Sequence, residues 1–203
     1  MPRRRPRRTL TNKVRQAVRQ IAYSTQETKH HRVVDEIGFS TDSTLVELNT
    51  VDSQGVASGQ FVGQEIRQIG IRIRGKLAQA DSNNVVRLVV FTPSAQFESE
   101  LTAGIAIPND LFYMASNWSA VREPMADKVF YDRNLVLNIA SGQNDKIRLV
   151  NHWVNLRMRK YKINEANATK QGSDKVYMLL MSDSGVTPHP TFEFSSTLYY
   201  KDA

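Results

Sequence analysis

Eight cations stand in the first twenty residues, Arg3, Arg4, Arg5, Arg7, Arg8, Lys13, Arg15 and Arg19, and no acid stands among them. At that density they can do one kind of chemistry, the neutralisation of a polyanion. Each Lys or Arg that pairs with a phosphate releases a condensed counterion, which gives affinity without sequence preference. Arginine adds bidentate phosphate contacts that lysine does not make. Nucleic acid is therefore the expected partner. A nuclear import receptor reading the same basic run is a compatible second partner, and a solubilising tail is the plain alternative.

The elements that must carry these cations differ along the segment. Residues 1–9 are Arg and Pro with one Thr after the initial Met, a composition that predicts an extended, solvated, disordered arm. From Leu10 the apolar residues Leu10, Val14, Ala17, Val18 and Ile21 recur at intervals of three and four between Lys13, Arg15, Gln16, Arg19 and Gln20. That spacing predicts an amphipathic helix over residues 10–22. A helix of about three turns is marginal in water, so its order is expected to depend on a partner.

Charge divides the chain sharply. Residues 1–32 hold ten Lys/Arg against Glu27 alone, a balance of +9, while residues 33–203 hold seventeen against nineteen acids, −2. A near-neutral body thus carries a basic arm, and the expected division is 1–28 for arm and helix and 29–203 for one shell-like domain. There is no cysteine, which removes disulfides, thiol nucleophiles and Cys-ligated zinc. No window approaches the eighteen or so apolar residues of a membrane-spanning helix, and the basic start is not followed by a secretory apolar stretch, so no membrane association is expected.

After Thr28 the helical period gives way to short β-branched runs separated by Gly, Asn, Asp, Ser and Pro. Strands are predicted at 32–39, 44–48, 65–79, 85–91, 128–139, 147–163 (broken or bulged), 175–181 and 191–201. In the third, Ile69, Ile71, Ile73 and Leu77 alternate with Arg72, Arg74 and Lys76, giving one apolar and one basic face. Val85 to Phe91 is nearly all apolar, as in a strand covered on both sides. Residues 94–126 read as a long connection with a short helical turn at Asp110 to Met114. Eight strands with irregular connections predict an all-β, eight-stranded jelly-roll sandwich, with an immunoglobulin-like sandwich as the rival.

Catalytic chemistry is poorly provided for. His30 and His31 are adjacent and would diverge on a strand, His152 sits mid-strand, and His189 lies between two prolines, so neither a metal site nor any cofactor is expected. There is no nucleophile elbow, phosphate loop, zinc-protease or dinucleotide motif, and the chain does not read as an enzyme. Arg72, Arg74 and Lys76, with Arg157, Arg159, Lys160 and Lys162, could extend the basic surface onto the body as an inner face; equally, charges alternate on any solvated sheet face. Phe61, Phe91, Phe97, Phe112, Tyr113, Trp118 and Trp153 are not interleaved with cations in sequence and read as core or subunit contacts.

A basic arm, a short basic amphipathic helix and one eight-stranded sandwich, in that order, resemble a small icosahedral virus capsid protein. The stretches that carry the resemblance are Val14-Arg15-Gln16-Ala17-Val18-Arg19-Gln20-Ile21, Ile69-Gly70-Ile71-Arg72-Ile73-Arg74-Gly75, Asn134-Leu135-Val136-Leu137-Asn138 and Phe192-Glu193-Phe194 through Tyr200-Lys201-Asp202. The body is similar to the coat protein of satellite tobacco necrosis virus and to capsid proteins of small circular single-stranded DNA viruses. The resemblance implies a T=1 shell of sixty copies, with arms directed inward onto a packaged single-stranded genome. The Arg/Pro-rich start looks more like the arms of the circular DNA viruses, which implies a DNA genome, a virion location and passage through the host nucleus. Phosphate contacts themselves leave RNA and DNA open. Coat proteins of the plant satellite type bind calcium between subunits, and Asp202 falls where a carboxylate would be carried over, although no calcium loop is present locally. The competing readings are a non-viral nucleic-acid-binding β-sandwich with a basic, nuclear-localising tail, and an enzyme or carbohydrate-binding jelly roll.

Overall fold

The structure is a computed structural model, and it describes residues 27–51, 65–79, 83–114, 119–138, 147–162, 175–185 and 187–202, together with Val14, Arg15 and Val18. The extended arm expected over 1–9, and with it Arg3, Arg4, Arg5, Arg7, Arg8, Lys13 and Arg19, lies outside the described residues. Of the helix expected over 10–22, Val14, Arg15 and Val18 are described, and all three are helical and exposed.

The body contains eight described strands: β1 (Lys29–Gly38), β2 (Thr44–Glu47), β3 (Glu65–Ala78), β4 (Asn83–Pro93), β5 (Ala126–Asn138), β6 (Ile147–Lys162), β7 (Tyr177–Ser182) and β8 (Thr191–Asp202). They form two four-stranded sheets, ordered β1-β8-β3-β6 and β2-β7-β4-β5, with every pairing antiparallel. Consecutive strands repeatedly cross from one sheet to the other, which is the double Greek-key arrangement of a jelly roll and not the immunoglobulin-like alternative. The first strand and the last are neighbours, with Lys29 opposite Tyr200 and Gly38 opposite Thr191.

The period-two pattern of each strand builds the core. Ile71, Ile73 and Leu77 of β3, Val150, Val154 and Leu156 of β6, and Phe192, Phe194, Leu198 and Tyr200 of β8 point inward. They meet Val86, Leu88 and Val90 of β4, Leu135 and Leu137 of β5, and Met178 and Leu180 of β7. Burying each large side chain contributes ~1.5–3 kcal/mol, so this layer carries most of the apolar stabilisation.

The near-continuous apolar run of β4 is explained by a second cluster on its other face. Val89 and Phe91, with Leu179 and Met181 of β7, are covered by Phe97, Leu111 and Phe112 from the connection between β4 and β5. That connection holds a helix that the sequence reading missed, α1 (Ala95–Thr102). Ser94 caps it by accepting the Phe97 N–H at 3.2 Å. The helical turn expected at 110–114 lies earlier, as a 3-10 turn at Pro108–Leu111, where Asp110 accepts the Ile107 N–H at 2.8 Å and Pro108 fits the first turn.

The phase of β3 also differs from the simple alternation. Its register on β6 and on β8 shifts between Gln68 and Gly70, so Ile66 and Gln68 are buried before the shift and Ile71 and Ile73 after it. A bulge inserts unpaired backbone and exchanges faces. Ile69 is therefore left half-buried and Gln68 takes the inward position. On β6 the same irregularity is marked by Arg157, whose φ is +54°.

Arg87 of β4 fastens the connection to the sheet. Its guanidinium donates to both carboxylate oxygens of Asp132 on β5, at 2.9 and 2.7 Å, and to the Ser119 carbonyl, and it lies 4.4 Å from the Phe112 ring centre. Removing Arg87 leaves the Asp132 carboxylate partly solvated, so the cost falls below the range of a fully buried pair, at about 2 kcal/mol for the lost charged hydrogen bonds. Arg87→Met is thus expected to lower stability by about that amount in denaturant unfolding; a loss below about 1 kcal/mol would show that the clamp is not structural.

Candidate nucleic-acid interface

The outer surface of the β1-β8-β3-β6 sheet gathers cations from strands far apart in sequence. Alternation puts His30, Arg32 and Val34 of β1 on this face, with Glu193, Ser195, Thr197 and Tyr199 of β8, Arg72, Arg74 and Lys76 of β3, and Leu149, Asn151, Trp153 and Asn155 of β6. Register then fixes the rows. Arg32, Thr197, Arg72 and Trp153 lie in one line across the four strands; Val34, Ser195, Arg74 and Asn151 form the next. Two depressions of ≈ 420 and ≈ 260 Å³ open on this surface, and both are lined by Arg32, Arg74 and Ser195.

The arginines at the centre are available for a ligand. Arg72 Nε donates to Asn151 Oδ1 at 3.4 Å, and among the described residues no carboxylate pairs with Arg32, Arg72 or Arg74. Lys76, by contrast, is held by Glu193 at 3.0 Å. An anion on the sheet would therefore meet the three guanidiniums before the lysine. Planar guanidiniums match phosphate oxygens two at a time.

The structure sorts the other sequence-predicted cations. Arg157 is exposed at the bulge, where its backbone N–H donates to Asn155 Oδ1 at 2.9 Å. Lys160 is not a free contributor, since its Nζ lies 2.7 Å from Glu65 Oε1. Arg159 and Lys162 occupy β6 opposite Gln68 and Glu65, and their side chains are outside the described residues. Arg15 stands apart from the sheet as an exposed helical residue. Asp202, the carboxylate the resemblance suggested for calcium, accepts Lys29 Nζ at 2.7 Å.

Lys29 and Arg32, which the charge tally of residues 1–32 included, are both in β1, inside the body expected over 29–203. Sequence reasoning also missed the aromatic part of the face. Trp153, read as core or subunit contact, remains 45% exposed on the outer surface. Its indole lies over Gly70, where an added Cβ would come within 2.4 Å of the ring and 2.7 Å of the Val154 carbonyl oxygen. Glycine at that position is what lets the ring lie down on the sheet. Trp153 and Tyr199 have ring centres 5.4 Å apart, and Tyr199 and His30 6.4 Å. Of the other aromatics so read, Phe91, Phe97 and Phe112 are buried between the sheet and the β4–β5 connection, Tyr113 is exposed on that connection, and Phe61 and Trp118 lie outside the described residues.

The histidines do not converge. His30 faces outward, and His152 packs at a tilt against Tyr131 of β5 with ring centres 4.1 Å apart. Burial, and secondarily the charge of Arg133, lowers the His152 pKa below its usual 6.5. Among the described residues no group of three His, Asp or Glu side chains comes together in a way that could hold a metal.

No family model matches the chain, and no curated protein matches it. Among solved structures, it is similar to the infectious bursal disease virus VP2 subviral particle at 5% identity and a TM-score of 0.31, covering 87% of this chain and 33% of that one. The infectious bursal disease virus Gx strain structure matches at 6% identity and a TM-score of 0.29, covering 86% and 32%. The chain thus spans about a third of the length of each, and likenesses this distant assign it no role.

His152 makes stability depend on pH. Its folded pKa is lowered, so the unfolded chain binds the proton more readily, and stability falls as pH drops through the unfolded value of 6.5. The thermal midpoint is expected to decrease between about pH 7.5 and about pH 5.5, and less so in His152→Gln. Equal slopes in the two proteins would remove His152 as a source of the dependence.

Proposed function

We propose that the protein is a capsid subunit that assembles into a T=1 icosahedral shell of sixty copies and packages a single-stranded genome. Its cations bind the genome and its sandwich builds the wall. One observation carries this reading: the arm enters the body at β1, in the same sheet that displays Arg32, Arg72 and Arg74. The sheet that follows the arm in sequence is thereby the one that displays the body's guanidiniums. The opposite sheet is overlaid by α1 and the rest of the β4–β5 connection.

Exposed apolar side chains support assembly. Ile105, Ile107, Tyr113 and Met114 project from the β4–β5 connection, and Val136 and Ile147 lie on β5 and at the start of β6. A single subunit leaves these to water, whereas neighbours in a shell would cover them. Val14 and Val18, on the short helix, are exposed in the same way, in accord with order that depends on nucleic acid or an adjoining copy. The body's near-neutral balance lets copies pack without strong repulsion. The Arg/Pro-rich arm favours a DNA genome, and with it a nuclear stage and an import receptor as a second partner. The function is structural, not catalytic.

Purified protein is expected to scatter light and appear by electron microscopy as uniform shells of about sixty subunits, with nucleic-acid absorbance at 260 nm in the same fraction. Deleting residues 1–20 is expected to remove that absorbance while cooperative unfolding of the body is retained. A monomer or dimer that stays small after nucleic acid is added would overturn the capsid reading and leave a non-viral binding module with a basic tail.

A further inference from the structure

We infer that the outer face of the β1-β8-β3-β6 sheet is a second nucleic-acid site, one that takes an unpaired strand by stacking its bases on Trp153, Tyr199 and His30 while Arg32, Arg72 and Arg74 hold its phosphates. The inference rests on the packaging role proposed above and gives the body a part in it distinct from that of the arm.

The aromatic row and the arginine rows are neighbours on one surface. His30, Tyr199 and Gly70 lie in register across β1, β8 and β3, and the Trp153 ring fills the space above Gly70. The row next to it carries Arg32 and Arg72, and the row beyond that Arg74. Bases and phosphates of one strand can therefore be met together. Three rings carried by β1, β8 and β6, the last reaching over Gly70 of β3, suit two or three splayed nucleotides.

Half-exposure of a tryptophan is the observation that separates this surface from an ordinary solvated sheet. A purely electrostatic face needs guanidiniums and no ring, and would accept duplex and single strand alike. An indole offers an apolar plane that only unpaired bases can cover, because paired bases have their faces occupied by the stack. Glu193, the acid nearest the arginine rows on β8, is neutralised by Lys76 and so does not repel a strand. Glu36, on β1, stands opposite Glu193 at the far end of the face from the aromatic row.

Full-length protein, freed of nucleic acid at high salt and returned to low salt, is titrated with a labelled dT oligomer of about ten nucleotides and, separately, with a duplex of equal length. Label anisotropy reads all binding, the arm's included, and the Trp153 share of the emission, the part that Trp153→Phe removes and Trp118 does not supply, reads the sheet. Anisotropy is expected to rise with both probes, whereas emission is quenched by the dT oligomer alone. The quench is expected to disappear in Trp153→Phe, which keeps a ring over Gly70, and to weaken in Arg72→Ala and Arg74→Ala. In salt high enough to screen the arm, Trp153→Leu is expected to weaken oligomer binding by ~5-fold or more. Anisotropy without quenching, or equal quenching by the duplex, would overturn the stacking site and leave the arm's role standing. No anisotropy change with either probe would overturn the packaging role and the site together.

Discussion

Insertion of β8 between β1 and β3 is the pairing on which the rest of the molecule depends. The last strand hydrogen-bonds on both sides, joins the first strand across most of the chain length, and supplies Phe192, Phe194, Leu198 and Tyr200 to the core. Its outward residues, Ser195, Thr197 and Tyr199, are small or planar. They leave the arginines of β1 and β3 facing one another across a low surface instead of being separated by bulk. Without β8 the two cationic strands would not share a sheet. The depressions between Arg32 and Arg74 would have no floor.

The same pairing gives the molecule two unlike sides. One sheet receives the arm at β1 and presents guanidiniums and rings. The other is roofed by α1 and the β4–β5 connection, which bury Val89 and Phe91 and are fastened through Arg87 to Asp132 and the Ser119 carbonyl. A wall subunit requires that kind of polarity. In the proposed wall subunit, phosphate contacts on one side would position a polyanion, and apolar contacts around the periphery would hold neighbours.

Period and turn chemistry made much of this architecture legible in the sequence, and pairing made the rest opaque. Arg72, Arg74 and Lys76 alternate with buried apolar residues, so their common face could be read from a single strand. Arg32, although read as the start of the first strand, could not be joined to them, because only the meeting of the first strand with the last puts it in their row. Trp153 was read as core or subunit contact because an aromatic within an apolar strand usually is one or the other; the alternation of β6 turns it outward, with Val150, Val154 and Leu156 inward, and the space that Gly70 leaves lets its ring lie on the sheet. Ile69 was assigned to the wrong phase because of the bulge at Gln68/Gly70. α1 escaped notice because eight residues carrying only Phe97 and Leu101 as large apolar anchors make too short a period to distinguish from a loop. The double coverage of β4, in contrast, was written in its near-continuous apolar run.

The central claim is that the arm and the β1-β8-β3-β6 sheet face the nucleic acid while the opposite sheet faces away. Ultraviolet cross-linking of purified particles, followed by mass spectrometry of the linked peptides, tests it most directly. Cross-links are expected in residues 1–22 and at Trp153, Tyr199 and neighbouring positions of the basic sheet, and not in α1 or on the outer surface of β2 and β7. Cross-links concentrated on α1 and the β4–β5 connection would contradict the account.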